Sequence, residues 1–291
     1  MNARYNTGVR FNHNLGILET LSFVGEGVGA ALYILAIATG KMILAVLGIA
    51  FVIGALFALR AHLGKPMRGW RAFTRFATSW VSRGSMMMAC FLAFATLSVG
   101  AGYVEALAPY QKALSAVALA FSAGVLIYAG MLLRTMRAIH LWRGPFVPLA
   151  FSAHSLASGA AIAWALMPWL GVDLGTVEWL PPLGIAGLIL GVLLSWLHIA
   201  RAERSAGVRA SLDRLLAGDL RQNFIWVAGV LGIAVPLLGF LASRFLMTSA
   251  GPGVAMLLFA LVAACRLYGD FVYRNSIVTA GAYEPVFPTR R

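Results

Sequence analysis

The residues best suited to polar chemistry lie between Arg60 and Arg83, in a basic segment that separates two long apolar stretches. This segment contains one histidine, one lysine and five arginines, at positions 60, 62, 65, 68, 71, 75 and 83. An imidazole can give or take a proton near neutral pH, and guanidinium groups bind anions or carbonyl oxygens. We therefore expect the polar chemistry of the chain to be concentrated here.

A second group of polar residues lies inside the first apolar stretch. Glu19, Glu26 and Tyr33 recur every seven residues, which places them on one face of a helix. Ionisable groups inside a membrane span mark routes for ions, protons or ligands. This face is a candidate proton path, with hydrogen-bonded packing of Glu26 as the alternative. Gly25 and Gly29 have the four-residue spacing that allows close helix packing.

Membrane helices must position these groups, because 60% of the 291 residues are hydrophobic and only 11% are charged. In soluble domains, roughly a quarter of all residues are charged. The sequence predicts an all-α integral membrane protein, a single transmembrane domain over 1–291 built as a bundle of eight transmembrane helices. No soluble domain remains, and no nucleic-acid partner is expected. The predicted spans, each about 20 apolar residues long, are 17–38, 42–60, 84–104, 113–133, 147–168, 183–200, 223–243 and 253–270.

The two cysteines and the first span exclude some other classes of protein. Cys90 and Cys265 fall inside spans and are too few for a Cys-ligated cluster, so no metal site is expected. Polar residues precede the first span and no small-residue cleavage site follows it, so we expect this helix to remain in the mature protein.

The basic residues are divided unequally between the two faces that eight spans create. The face with both termini and the loops 60–83, 134–146 and 201–222 has 20 of the 23 basic residues. The positive-inside rule predicts that this face, with both termini, is cytoplasmic. Such loops could bind anionic lipid head groups, dock an acidic soluble partner, or do both.

Two histidines inside the spans raise the question of haem. His154 in the fifth span and His198 in the sixth could ligate a haem between facing helices. Nearby serines, among them Ser152, Ser155 and Ser195, could instead satisfy the imidazoles by hydrogen bonding. Structural histidines are the favoured interpretation, and no haem is expected.

Two further polar groups lie near the ends of the fourth and eighth spans. The phenol of Tyr128 could donate a hydrogen bond to a quinone carbonyl or serve as an interfacial anchor. Asp270 and Tyr273, beside Arg266 and Arg274, are expected to form an ion-pair cluster at the membrane interface.

The basic segment resembles a known family. His62–Arg68 (HLGKPMR) and Ser79–Arg83 (SWVSR) are similar to the His-Leu-Gly-x-Pro-x-Arg and Ser-Trp-x-Ser-Arg segments of the NrfD-like membrane anchors. These anchors are the quinone-binding subunits of polysulfide reductase, dimethyl sulfoxide reductase and related molybdenum enzymes. Weaker similarity at Tyr128–Gly130 and Leu215–Gly218, with the eight spans, extends the resemblance over essentially the whole chain.

The resemblance implies a complex with three kinds of subunit. A catalytic subunit would hold a molybdenum or tungsten pterin cofactor, and a ferredoxin-like subunit would hold iron–sulfur clusters. This anchor would pass electrons between the nearest cluster and a menaquinone or ubiquinone, with the substrate chemistry in its partner. It would lie in the bacterial cytoplasmic membrane, in contact with the membrane lipids.

The resemblance also implies roles for single residues. His62 and Arg68 match family positions that line the quinone pocket, and we expect Tyr128 and Arg83 to join them. The residues expected to dock the iron–sulfur subunit are Lys65, Arg71, Arg75 and Arg137.

One position departs from the family pattern. Many relatives have Glu directly after the Ser-Arg pair, and this residue is implicated in quinone binding or proton exchange, whereas this chain has Gly84. The proton route is therefore expected to use Glu26, Glu19 and Tyr33.

Two other functions are compatible with the sequence: a haem-b-containing anchor of such a complex, and a multi-span transporter. Against transport, the two halves of the chain show no convincing repeat. Pro236 interrupts the seventh span, but no proline or glycine break lies at the matching position of the other half.

Overall fold

Nine α-helices dominate the computed structural model, which describes residues 9–13, 15–62, 70, 72–202, 205–249 and 252–284. A π-helical segment, Gln222–Ala234, leads directly into the eighth helix, and strands β1 (Arg10–Phe11) and β2 (Ala282–Tyr283) pair antiparallel. Eight helical stretches of this described part are long and apolar enough to cross a membrane, which confirms the predicted all-α bundle. The helices are α1 Ile17–Thr39, α2 Met42–His62, α3 Trp80–Gly100, α4 Gln111–Thr135, α5 Phe146–Leu166, α6 Leu180–Ala200, α7 Ala206–Leu216, α8 Val235–Ser249 and α9 Pro252–Ala280.

Local signals in the sequence set several helix ends. Gly40 ends α1 in the left-handed conformation, with φ 67°. The Ser79 hydroxyl accepts a hydrogen bond from the backbone N–H of Ser82 at 3.4 Å and so caps the start of α3. Because α3 begins at Trp80 rather than at residue 84, Gly84 lies inside the helix and can face a neighbouring one.

The bundle is organised around α1 and α5, which are the most buried of the membrane-spanning helices. These two helices pack against each other, and both contact α4 and α9. Outside this group, α2 packs on α1, α6 on α5, and the π segment and α8 on α9. Polar side chains on α1 and α5 are therefore enclosed by protein rather than by lipid.

Small residues allow α1 to approach its neighbours closely. A Cβ added at Gly29 would lie 2.6 Å from the carbonyl oxygen of Gly48 on α2. A Cβ added at Gly25 would lie 3.0 Å from the Ala55 side chain, also on α2. On the other side, a Cβ at Gly27 would overlap the Ser155 hydroxyl of α5. The packing role predicted for Gly25 and Gly29 is confirmed.

A buried backbone carbonyl lies where the π segment passes into α8. Pro236 has no backbone N–H, so the run of backbone hydrogen bonds is interrupted at this junction, four residues after Gly232. Nη1 of Arg266 on α9 donates to the carbonyl oxygen of Gly232 at 2.7 Å. The π segment and α9 come close enough for this hydrogen bond because the backbones of Gly232 and Gly269 are in direct contact. A side chain thus satisfies a polar group that lipid could not.

The two ends of the described chain meet at one end of the bundle. Besides the β1–β2 pair, the side chain of Asn12 donates to the carbonyl of Val278 at 3.2 Å. Glu284 accepts hydrogen bonds from the backbone of Gly207, at 3.1 Å, and from the hydroxyl of Ser205, at the start of α7. Both ends therefore lie on the same face, as an even number of spans requires.

The position expected for the charged cluster in the last span was wrong. Asp270, Tyr273, Arg266 and Arg274 were expected at the membrane interface, but α9 continues to Ala280 and all four side chains are buried in the protein. Charged side chains interrupt the apolar sequence of the last span from Arg266 onwards. These charges pair with one another inside the bundle.

We predict that Asp270→Asn destabilises the protein by about 3–5 kcal/mol, because it leaves buried guanidinium charge unbalanced. Asp270 lies 3.0 Å from Arg274 and 3.8 Å from Arg266. Thermal unfolding of the purified protein in detergent measures the effect. As a control, Asp219→Asn removes an exposed carboxylate that pairs with the partly buried Arg214, which should lower stability by at most about 1 kcal/mol. Equal unfolding midpoints for the two variants would contradict the structural role of the buried pair.

Candidate functional site

Glu26 is a buried carboxyl on α1, with 1% of its surface exposed. Its Oε1 accepts a hydrogen bond from the hydroxyl of Ser22, one turn earlier, at 2.8 Å. Its Oε2 has no hydrogen-bond partner among the residues that the structure describes. An oxygen buried without a donor is unfavourable, so Oε2 marks a position where a proton or a ligand can bind.

Arg274 ties α1, α5 and α9 together beside this carboxyl. Its charge is close enough to act on Glu26. Because one guanidinium holds carbonyls on two other helices, the position of Glu26 relative to α9 is set by this residue. The groups that accept hydrogen bonds from Arg274 are Asp270 Oδ1 at 3.0 Å, the Phe23 carbonyl at 2.9 Å, the Phe151 carbonyl at 3.0 Å and the Ser155 hydroxyl at 2.7 Å.

Tyr128 on α4 packs directly against Gly84 on α3. A Cβ added at Gly84 would overlap the Tyr128 ring at three of its carbon atoms. The ring is buried, and it lies near enough to Glu26 for the charge of that carboxyl to act on the phenol. The absence of a side chain at position 84 thus makes room for a buried phenol.

Four arginines surround a cavity of about 770 Å³ between the start of α3 and the end of α4. We call it the arginine cavity, and its basic residues are Arg75, Arg83, Arg134 and Arg137. Nε and Nη2 of Arg83 donate to the carbonyls of Phe76 and Ala77, at 3.1 and 2.6 Å, and its guanidinium lies 5.1 Å from the centre of the Trp80 ring. The cavity therefore lies next to Gly84 and Tyr128, with one of its guanidinium groups held in place.

Comparison with known families shows where this arrangement belongs. The sequence matches the DMSO reductase anchor subunit (DmsC) family over residues 15–272, from just before α1 into the last third of α9. The chain belongs to this family. The resemblance to dimethyl sulfoxide reductase membrane anchors that the sequence indicated is thereby confirmed. Membership of this family implies association with the catalytic and iron–sulfur subunits of such a complex. A search of curated proteins found no match.

In this multi-pass anchor subunit, His154 on α5 and Arg266 on α9 form a buried pair. Nη2 of Arg266 lies 3.0 Å from Nδ1 of His154 and 3.1 Å from its carbonyl oxygen. A guanidinium can only donate, so Nδ1 accepts and the ring proton is on Nε2. The imidazole packs against Gly191, whereas His198 lies two turns further along α6. In the described part of the chain, no group of three His, Cys, Asp or Glu could hold a metal ion.

The other two members of the predicted proton path lie towards the ends of α1. Oε2 of Glu19 accepts a hydrogen bond from the backbone of Gly16 at 2.8 Å, which caps the helix. The hydroxyl of Tyr33 pairs with Ser98 at 2.8 Å and lines a second cavity, of about 540 Å³. All three residues of the path are buried, and of the three Glu26 is the one whose charge acts on the Tyr128 phenol.

Several residues predicted for the site lie outside the described residues. These are Lys65, Arg68 and Arg71, together with the side chain of His62, whose backbone ends α2. Of the predicted arginines, Arg75, Arg83 and Arg137 are brought to one cavity by the fold, and they are joined there by Arg134 at the end of α4.

The ion-pair cluster of Arg266, Asp270 and Arg274 was predicted from the sequence, but its burial inside the bundle was missed, although a signal was present. Arg266, Asp270 and Arg274 are spaced four residues apart, which puts all three on one face of a helix. Charges on one face of an otherwise apolar helix turn towards the bundle interior. Their partners on α5, above all His154, follow only from the tertiary structure.

Gly84→Ala should displace the Tyr128 ring, because the added methyl group overlaps it, and we predict a stability loss of about 1–3 kcal/mol. Thermal unfolding of the anchor subunit in detergent measures this change. Gly54→Ala on α2 is the matched control, since a Cβ there meets no atom within 4 Å. That variant should be neutral or slightly stabilising, because alanine favours helix. A Gly84→Ala midpoint as high as that of Gly54→Ala would refute the close packing.

Proposed function

We propose that this anchor subunit exchanges electrons between its iron–sulfur partner and a membrane quinone, and that Tyr128 and Glu26 form the polar wall of the quinone site. The observation that carries the proposal is the buried phenol of Tyr128 packed against Gly84. The buried carboxyl of Glu26, which has one oxygen without a partner in the described structure, lies within electrostatic range of that phenol. The quinone, menaquinone or ubiquinone, would supply chemistry in which two electrons and two protons move together.

The two side chains fit the functional groups of such a ligand. The Tyr128 hydroxyl can donate a hydrogen bond to a carbonyl oxygen, and it orients the ring that carries that oxygen. Oε2 of Glu26 lacks a partner in the described structure and can accept a proton from a hydroxyl. Because Oε1 stays bonded to Ser22, the carboxyl can hold its orientation while Oε2 gains or loses the proton.

The charges around Glu26 support a proton-accepting role. Arg266 and Arg274 bring two positive charges into the bundle, and Asp270 supplies one negative charge against them. Glu26 is a second carboxyl within the field of Arg274, whose positive charge offsets part of the cost of ionising a carboxyl that is buried in a medium of low dielectric. A proton that arrives at Oε2 leaves one uncompensated positive charge in a medium of low dielectric. That excess charge favours onward release of the proton.

We assign the outer part of the quinone site to the basic segment. His62 would exchange protons with the medium and Arg68 would hold a carbonyl oxygen, as the family resemblance implies. The end of α2 at His62 supports this assignment, because the segment starts there and rejoins the bundle at α3, beside Tyr128. Arg83 binds two carbonyls of the segment, so we propose that it positions this part of the chain.

We propose that the partners are a ferredoxin-like iron–sulfur subunit and a catalytic subunit with a molybdenum or tungsten pterin, docked on the basic face through Lys65 and Arg71. Two of the 20 basic residues assigned to this face, Arg266 and Arg274, lie inside the bundle. The remaining 18 still greatly outnumber the three on the other face, Lys41, Lys112 and Arg244. By the positive-inside rule, the docking face is the cytoplasmic side of a bacterial inner membrane.

Glu26→Gln and Tyr128→Phe should each lower quinol-linked turnover of the purified complex by at least about tenfold, because a positioned proton acceptor or donor is lost. Turnover with an artificial dye, which reaches the soluble subunits directly, should be unchanged. Glu19→Gln is the matched control, since that carboxyl caps α1, and it should reduce quinol-linked turnover much less. Near-wild-type quinol rates for both Glu26→Gln and Tyr128→Phe would sink the proposed site.

A further inference from the structure

The arginine cavity concentrates positive charge that the described part of the chain does not neutralise. None of its four arginines forms an ion pair with an Asp or Glu there; the carboxylates of described ion pairs belong to Asp219, Asp270 and Glu284. The whole chain has 10 acidic residues against 23 basic ones, so carboxylates are scarce. Four guanidinium groups that line one cavity give it a positive potential, which attracts anions.

The cavity is built to hold an anion. Arg83 is fixed by two carbonyls and the Trp80 ring, so its guanidinium is already ordered. The hydroxyls of Thr78, Ser79 and Thr135 line the same space. The cavity also includes the start of α3, where the helix dipole attracts negative charge.

Part of the wall is apolar, which indicates what kind of anion fits. Trp80, Val81, Met131 and Leu132 line the cavity together with the arginines. These residues belong to the membrane-spanning helices α3 and α4, so the apolar wall continues towards the hydrocarbon region. An acidic protein segment would leave this wall without a matching surface, whereas a phospholipid has a phosphate joined to acyl chains.

We propose that the arginine cavity binds an anionic phospholipid of the adjacent leaflet, with phosphate on the arginines and the first acyl carbons against Met131 and Leu132. Four guanidinium groups match two phosphates, so a diphosphate lipid of the cardiolipin type is the preferred ligand, and basic pockets between transmembrane helices are known to suit such head groups. Arg75 and Arg137, expected from the sequence to dock a protein, are reassigned to this lipid. The assignment is independent of the quinone site.

The test measures lipid retained by the purified complex. Arg134→Gln/Arg137→Gln removes two cavity charges, and Arg143→Gln/Arg209→Gln removes two exposed charges of the same face that do not line the cavity. Mass spectrometry of extracted lipids should show at least about tenfold less cardiolipin in the cavity variant, since each basic residue strengthens binding to anionic lipid about fivefold. The control variant should retain the wild-type amount.

A second measurement on the wild-type complex identifies the source of the phosphate. Added cardiolipin should raise the thermal unfolding midpoint, whereas phosphatidylcholine and inorganic phosphate should not. A rise with inorganic phosphate alone would show a free-anion site and overturn the lipid assignment. Equal cardiolipin in both variants would also overturn it, and loss of the iron–sulfur subunit from the cavity variant at unchanged lipid content would show protein docking instead.

Discussion

The structure depends on the guanidinium of Arg274, a charge placed where no water can solvate it. A bilayer tolerates such a group only if protein supplies every partner. Asp270 supplies the opposite charge, and backbone carbonyls of α1 and α5 take the remaining donors. Arg266 is buried on the same helix and binds the carbonyl of Gly232 in the π segment. Two charges on one helix therefore hold the central helices in register.

This register positions the candidate site. Because Arg274 binds the carbonyl of Phe23, the following turn of α1 is held with Glu26 facing the interior of the bundle. Gly25, Gly27 and Gly29 let the neighbouring helices close around that turn. Tyr128 can then lie against Gly84 and reach the vicinity of the carboxyl from α4. A structural ion pair and a chemically active carboxyl thus share one electrostatic cluster.

Much of this fold follows from the sequence, because apolar stretches of bilayer length and glycines at four-residue spacing report on local structure. The basic segment was recognised in the same way, by residue types in a short pattern. What the sequence could not supply were contacts between distant helices. Gly84 was treated as the loss of a carboxyl, and only the fold shows that Tyr128 fills its place. Asp270 was expected at the interface because hydropathy does not register how paired charges lower the penalty of burial.

The central claim is that Glu26 takes up a proton when the anchor subunit works. Redox-induced infrared difference spectroscopy of the purified complex, with quinone present, tests this claim most directly, because it observes the carboxyl itself. We predict a protonated-carboxyl band that forms on quinol oxidation, disappears in Glu26→Gln and persists in Glu19→Gln. An unchanged band in Glu26→Gln would contradict the account and leave Glu26 as a packing residue.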